Sequence, residues 1–231
     1  MNSPLDSAVE ATARAIAECI DSVFDSLREV RAAAMSALAV DRPSRAGLGG
    51  LEPAVLALTQ RHGSLIDGAG LAVAPGLLSD AELWLQWWRN KSGRLEFTTH
   101  SLNPASVNYY DYTDMSWFRA SADSNESRLT GPYIDFGGTD LKIVTASLPV
   151  DSQGQISVVG ADLSMAQLEL LFLRSLGRQE PDVVLLTDSG KVVASNTGRY
   201  AAGRVAPAQI DDGVVVPFTN VAQTWKIALG G

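Results

Sequence analysis

Three clusters in this chain have the chemistry to hold a small organic cation. They are Tyr110-Asp111-Tyr112-Thr113-Asp114-Met115-Ser116-Trp117-Phe118, Gly131-Pro132-Tyr133-Ile134-Asp135-Phe136 and Gly160-Ala161-Asp162-Leu163. Aromatic faces attract a cation through the ring quadrupole, and a carboxylate in dry surroundings adds a charge-assisted hydrogen bond. The pattern points to recognition rather than catalysis. Strand alternation puts Tyr133 with Asp135, Ile143 with Thr145 and Ser147, and Gly160 with Asp162. If those faces coincide they form a polar, partly aromatic concavity, in which Gly160 leaves room for a guest. Asp114 and Trp117, three apart on the intervening helix, share one side of it.

Each residue also has an ordinary role open to it. Trp117 and Phe118 suit a core, Tyr110 and Tyr133 can tie loops through their hydroxyls, and Asp111, Asp114 and Asp162 each stand near a helix start. Trp84, Trp87 and Trp88 read as packing. No single residue is specific; the joint arrangement is.

Those residues need a sheet and helices to position them. Ser3-Pro4 with Asp6 in the first turn starts a helix that runs to about Leu38. Along it Val9, Ala13, Ile16, Ile20, Val23, Leu27, Val30 and Ala34 make a narrow heptad seam, expected to pair two protomers in a homodimer. Asp41 to Gly50 reads as a connector and Glu52 to His62 as a short helix. Strands follow at Ala69 to Leu77, Glu82 to Asn90, Gly131 to Gly137, Leu141 to Pro149 and Gln155 to Leu163, with a helix over Thr113 to Asp123. Met165 to Leu176 reads as a linking helix ended by Gly177. Asp182 to Thr187 and Lys191 to Ser195 flank the hairpin signal Asp188-Ser189-Gly190, and Val214 to Phe218 and Thr224 to Leu229 complete a small second β lobe. The expected fold is α+β, with a five-stranded antiparallel sheet carrying helices. The expected organisation is an N-terminal helix over residues 1–40, a main domain over 41–163, a linking helix over 164–180 and the second lobe over 181–231.

Composition narrows the function. With 231 residues, 46% of them apolar, the chain is long enough for a sizeable core. The formal charge of −8 repels phosphate backbones and anionic membranes, so nucleic acid is not an expected partner. The single cysteine, Cys19, allows no internal disulfide, and no Cys/His spacing suits zinc. His62 and His100 are 38 positions apart and read as surface or capping residues. No cofactor or metal is expected. Nor does an 18-residue apolar run or a basic-then-apolar leader occur. The chain as written reads as cytoplasmic, and as extracytoplasmic if it is a trimmed receptor ectodomain. An esterase elbow, a P-loop and a dinucleotide fingerprint are all missing from the sequence. Gly47-Leu48-Gly49-Gly50 and Gly137-Gly138-Thr139-Asp140 read as turns.

Taken in order, the strand pair, Tyr110, Trp117-Phe118, Gly131-Pro132-Tyr133, Leu148-Pro149-Val150 and Val159-Gly160-Ala161-Asp162 resemble the Cache sensor domain, also called the PDC or PAS-like sensor fold. The hairpin Asp188 to Ser195 resembles the opening of the second lobe in double Cache sensors. In amino-acid-binding members, an Arg-x-Trp-Tyr helix element holds the ligand carboxylate, while tyrosines and a strand-end aspartate hold its ammonium. The resemblance lays the tryptophan on Trp117, the tyrosines on Tyr110 and Tyr133, and the aspartate on Asp162. The arginine position is Met115 and the second aromatic is Phe118, so the carboxylate fork is missing from the helix. The implied function is a non-catalytic ligand-binding module for signal transduction, whose guest is an amine without a carboxylate. Met115 would pack on the guest's apolar part. A sensor for a small carboxylate or amino acid and a PAS-like protein-interaction module are the alternatives. The output protein is unknown.

Overall fold

The computed structural model describes residues 3–136, 141–179, 181–207, 210 and 213–230. Gly137 and the Gly137–Asp140 turn expected from sequence lie outside them. Helix α1 (Pro4–Leu38) begins at a capping box: the Asp6 N–H donates to Ser3 Oγ at 3.1 Å, and the Ser3 N–H returns to Asp6 Oδ2 at 2.9 Å. At 1.5 Å per residue this 35-residue helix is about 52 Å long, enough to serve two sheets in series. Helix α2 (Glu52–His62) follows.

Among the described residues ten strands form two antiparallel sheets. The first has the order β3-β2-β1-β6-β5-β4, built from β1 (Ile66–Ala72), β2 (Leu85–Lys91), β3 (Arg94–Thr98), β4 (Arg128–Ile134), β5 (Lys142–Ser152) and β6 (Gln155–Ser164). Between β3 and β4 lies helix α3 (Ser116–Ser124), and after β6 comes α4 (Met165–Leu176). The second sheet has the order β8-β7-β10-β9, from β7 (Val183–Leu186), β8 (Val192–Ser195), β9 (Val214–Val215) and β10 (Lys226–Leu229). The architecture is therefore α+β with a long N-terminal helix and a smaller second β lobe. Its first sheet has six strands rather than the expected five. The additional strand, β3, is joined to β2 by Ser92-Gly93, both at positive φ (54° and 86°), which is the turn a two-residue hairpin needs. Its exposed Arg94 and Glu96 are the charged residues that protect an edge strand.

The seam on α1 does not wait for a second protomer. Val9, Ala13, Ile16, Ile20, Val23, Leu27, Val30 and Ala34 are all at most 6% exposed within the single chain, in one core with Val144, Ala146 and Leu148 of β5, Leu168 and Phe172 of α4 and Ile227 of β10. The homodimer expected through this strip is overturned for that reason: its apolar surface is already consumed. Polar ties fasten the second lobe as well. Asp21 of α1 accepts from the Thr219 N–H (3.0 Å), the Thr219 hydroxyl (2.8 Å) and the Asn220 N–H (3.0 Å), and Lys142 Nζ donates to the Ala202 carbonyl at 3.0 Å. Met165–Leu176 packs between the sheets, touching α1 and β8.

Candidate ligand pocket

The first sheet has one face turned to α1 and one turned to α3. Register fixes who shares the second face. Arg89 of β2 pairs with Gly68 of β1, Gly68 with Asp162 of β6, and Asp162 with Thr145 of β5. The neighbouring row runs Thr98, Trp87, Gly70, Gly160 and Ser147. An irregularity in β4 between Thr130 and Tyr133, where Gly131 takes φ 127°, shifts the pairing so that Tyr133 stands opposite Ile143. Tyr133 thereby reaches Thr145.

Glycines make the floor on which an indole lies. A Cβ at Gly68 would come 2.8 Å from Trp87 Nε1, and one at Gly160 would come 3.1 Å from Trp87 Cη2. The space expected above Gly160 for a guest is thus occupied by Trp87, whose ring packs 5.7 Å from Trp117 at 47°. At Gly70 the crowding is backbone: a Cβ would sit 2.1 Å from the Gln86 carbonyl oxygen. Gly70→Ala is expected to pry β1 from β2 and lose about 3 kcal/mol, read as a lowered urea midpoint.

Segment 110–118 is pinned by Tyr112. Its hydroxyl donates to the Val73 carbonyl at 2.7 Å and accepts the Trp84 N–H at 3.2 Å, and burial pushes its pKa up to about 12. Asp111 caps a short turn by accepting the Thr113 N–H at 3.1 Å. Met115 then breaks the helical path with ψ 137°, so α3 begins at Ser116 and not at Thr113. This break separates Asp114 from Trp117. Asp114 is exposed and pairs with Arg119 at 2.9 Å, while Trp117, 3% exposed, faces the cavity. Met115 is half-buried against the aromatic cluster, and Phe118 is buried behind Trp117, edge-on to Tyr112 at 5.5 Å. Neither Met115 nor Phe118 lines the cavity.

Tyr110, Trp117, Tyr133, Asp135 and Asp162 do line it, together with Leu85, Trp87, Arg89, Thr98 and His100. Thr145 lies one step behind. Its hydroxyl donates to Asp162 Oδ1 at 2.8 Å, which leaves the Tyr133 hydroxyl to donate to Thr145 Oγ1 at 2.6 Å. Tyr110 donates to Asp135 Oδ1 at 3.0 Å. Asp162 therefore belongs to this network and caps no helix. The walls enclose only about 10 Å³ for the centre of a water-sized sphere, roughly one water. A larger guest has to part the aromatic walls.

Electrostatics follow from this burial. Asp162, 4% exposed, has its pKa raised well above the carboxylate range, first by desolvation and then by the Asp135 charge; Thr145 and Arg89 pull the other way. Tyr110 and Tyr133 are pushed up by burial and by the two carboxylates, so both remain phenols. Burial lowers His100, against the pull of Asp135, which keeps its imidazole neutral. His100 was expected at the surface or at a cap, yet its ring packs against Tyr110, centroids 4.9 Å apart and tilted by 33°, and its Nδ1 is buried without a partner. His62 has the structural role, its Nε2 2.9 Å from Ser26 Oγ. A second correction concerns charge: although position 115 holds methionine and Arg119 of α3 turns out to Asp114, Arg89 brings a fixed cation to the same cavity from β2. Of the lining residues that sequence does not assign to the site, Trp87 reads as packing and His100 as a surface or capping residue, Arg89 passes unassigned on its expected strand, and Thr98 belongs to the missed strand β3.

Residues 63–170 match the family model described as methyl-accepting chemotaxis protein-like, first PDC sensor domain, so the resemblance to the Cache/PDC sensor fold stands there. No curated protein shows significant sequence similarity to the chain. Among solved structures it is similar to methyl-accepting chemotaxis protein X, at 21% identity and TM-score 0.65 over 97% of this chain and 96% of that one. The ligand-binding domain of the Pseudomonas aeruginosa PAO1 amino acid chemoreceptor PctC, in complex with GABA, is 18% identical with TM-score 0.63, covering 97% and 96%. The periplasmic sensory domain of the Campylobacter jejuni chemoreceptor Tlp1 is 10% identical with TM-score 0.71, covering 97% and 92%. At these identities the likeness establishes the fold. No helix among the described residues is long and apolar enough to cross a membrane.

Proposed function

We propose that this chain is the sensing module of a chemoreceptor-type signalling protein, non-catalytic, which binds a small molecule through that molecule's cationic amino group. One observation carries the reading: Asp135 and Asp162, 5% and 4% exposed, converge with Tyr110, Tyr133, Trp87 and Trp117 on one enclosed cavity. Two buried carboxylates among aromatic faces call for a cation. A cation over such a face gains about 0.5 to 2 kcal/mol, and a hydrogen bond to a charged group about 1.5 to 3 kcal/mol. With burial of a small alkyl part, micromolar affinity, about −8 kcal/mol, is within reach. Tyr110 and Asp162 face the cavity, which favours a ligand over a purely protein-binding role.

Binding rather than turnover is favoured because the cavity pairs no nucleophile with a base. Its tyrosines stay protonated, and the one cysteine, Cys19, lies on α1 with its thiol pushed up to about 11 by burial. The likeness to a periplasmic sensory domain supports placement outside the cytoplasm for this chain too. A signal would leave through α1, which touches both sheets.

The expected result of a thermal-shift panel is stabilisation by amino-bearing compounds and none by short carboxylates. At a concentration 100 times the dissociation constant the gain is about 2.7 kcal/mol. A shift with carboxylates alone, or with no member of the panel, would sink the reading.

A further inference from the structure

We infer that His100 is a proton gate on this cavity: a proton on its ring adds a positive charge that turns a cationic ligand away, so the module answers to acidity as well as to the amine. The inference rests on the amino-group reading above and adds a regulator to it. His100 lines the cavity that Asp135 and Asp162 also line, its ring centroid 4.9 Å from that of Tyr110, whose hydroxyl donates to Asp135 Oδ1 at 3.0 Å. Its Nδ1 is buried and has no hydrogen-bond partner. A buried ring nitrogen in that condition holds nothing together; it is placed to take up a proton or to meet a guest. His62, the other histidine, is a structural tie through Ser26.

The groups around the ring set the sign. Burial, the largest influence, and the Arg89 charge oppose an imidazolium, while Asp135 and the Thr98 carbonyl favour it, and the balance lies below the ordinary 6.5. Tyr110 and Tyr133 stay phenols and bring no charge, and Asp162 is the second carboxylate of the cavity. At neutral pH Arg89 is thus the one positive charge among the described residues lining the cavity. In acid the ring becomes another, close to Asp135. The walls enclose only about 10 Å³ for the centre of a water-sized sphere, so little solvent screens that charge from a guest's ammonium. By linkage, proton and ammonium each lower the other's affinity by the same factor. Asp162, whose proton is also held tightly, must release it to a cationic guest and weakens binding in acid in the same direction. The gate is the further share that His100 adds.

Titration calorimetry on the whole chain from about pH 4.5 to about pH 8 tests this with ethylamine, butylamine, 4-aminobutyrate and L-alanine, which keep their ammonium throughout, and with propionate as the anion. Over that range the tightest amino-bearing probe should lose about threefold to thirtyfold more affinity in wild type than in His100→Gln. Proton NMR on wild type gives a readout that needs no variant to fold, since the chain has only two imidazoles and His100 is marked by its contact with Tyr110. Saturation with the same probe should move the His100 midpoint down by about one pH unit, a tenfold coupling, and leave that of His62 in place. A His100 midpoint that the probe does not move, or parallel pH profiles in wild type and His100→Gln, overturns the gate and leaves the amino-group reading intact. Propionate binding that tightens in acid and loses that gain in His100→Gln sustains the gate and overturns the amino-group reading. Failure of every probe at millimolar concentration across the range overturns both.

Discussion

Ile20→Glu combined with Val23→Glu is expected to unfold the chain rather than to change its assembly. Both residues are 0% exposed, in the core that α1 shares with the first sheet, α4 and the second sheet. A carboxylate placed there has no cation to meet; the effective cost of burying one unpaired charge is several kcal/mol even after relaxation. Protonation lowers that cost but leaves an unsatisfied polar group where methyl groups packed. Two such changes exceed a typical reserve of about 5 to 15 kcal/mol, or consume most of it. Far-UV circular dichroism at 25 °C should therefore show lost structure, and size exclusion an expanded chain. Met35→Glu on the exposed side of the same helix is the control, with a change within about 0.5 kcal/mol. A folded double variant would mean that the strip packs somewhere other than on its own sheets.

That result bears on what the sequence could disclose. The spacing of Val9 through Ala34 and the Ser3–Asp6 cap announced a 35-residue helix with one buried face. Periodicity names the face that is buried and is silent about what buries it. Here the helix whose seam read as a dimer interface is long because two sheets lie along it. The strands β5 and β6 were legible for the opposite reason: their alternation is strict, with Val144, Ala146 and Leu148 in the core and Thr145 facing the pocket. Strand β3 was hidden by Arg94 and Glu96, since an edge strand carries charges that read as loop. Losing β3 also hid Thr98, while Trp87 of β2 read as packing although it lines the pocket. The error over Asp114 was local. A three-residue spacing places two side chains together only on a continuous helix, and Met115 interrupts this one.

Asp162→Asn is expected to make the empty protein more stable at neutral pH and a poorer binder. The physical reason is the direction in which burial moves this carboxyl. Its folded-state pKa lies well above the ordinary 3.8, chiefly through desolvation and the Asp135 charge. The folded chain therefore holds this proton more tightly than the unfolded chain does. That advantage is complete below the unfolded value and is lost as the pH rises through the folded one. Above this window wild type bears the cost of a buried, repelled carboxylate, and asparagine does not. Asparagine keeps the shape and still accepts from Thr145, whose hydroxyl now donates to Asp162 at 2.8 Å. Melting curves taken from pH 3 upward should show the variant and wild type drawing apart, the variant on top, as the pH climbs past 3.8. A cationic guest reverses the ranking, because it needs the charge that the empty fold resists. Binding of an amino-bearing ligand should weaken by about 1 to 3 kcal/mol in the variant. A variant that melts far below wild type at neutral pH and binds normally would make Asp162 a structural residue and remove the ammonium site.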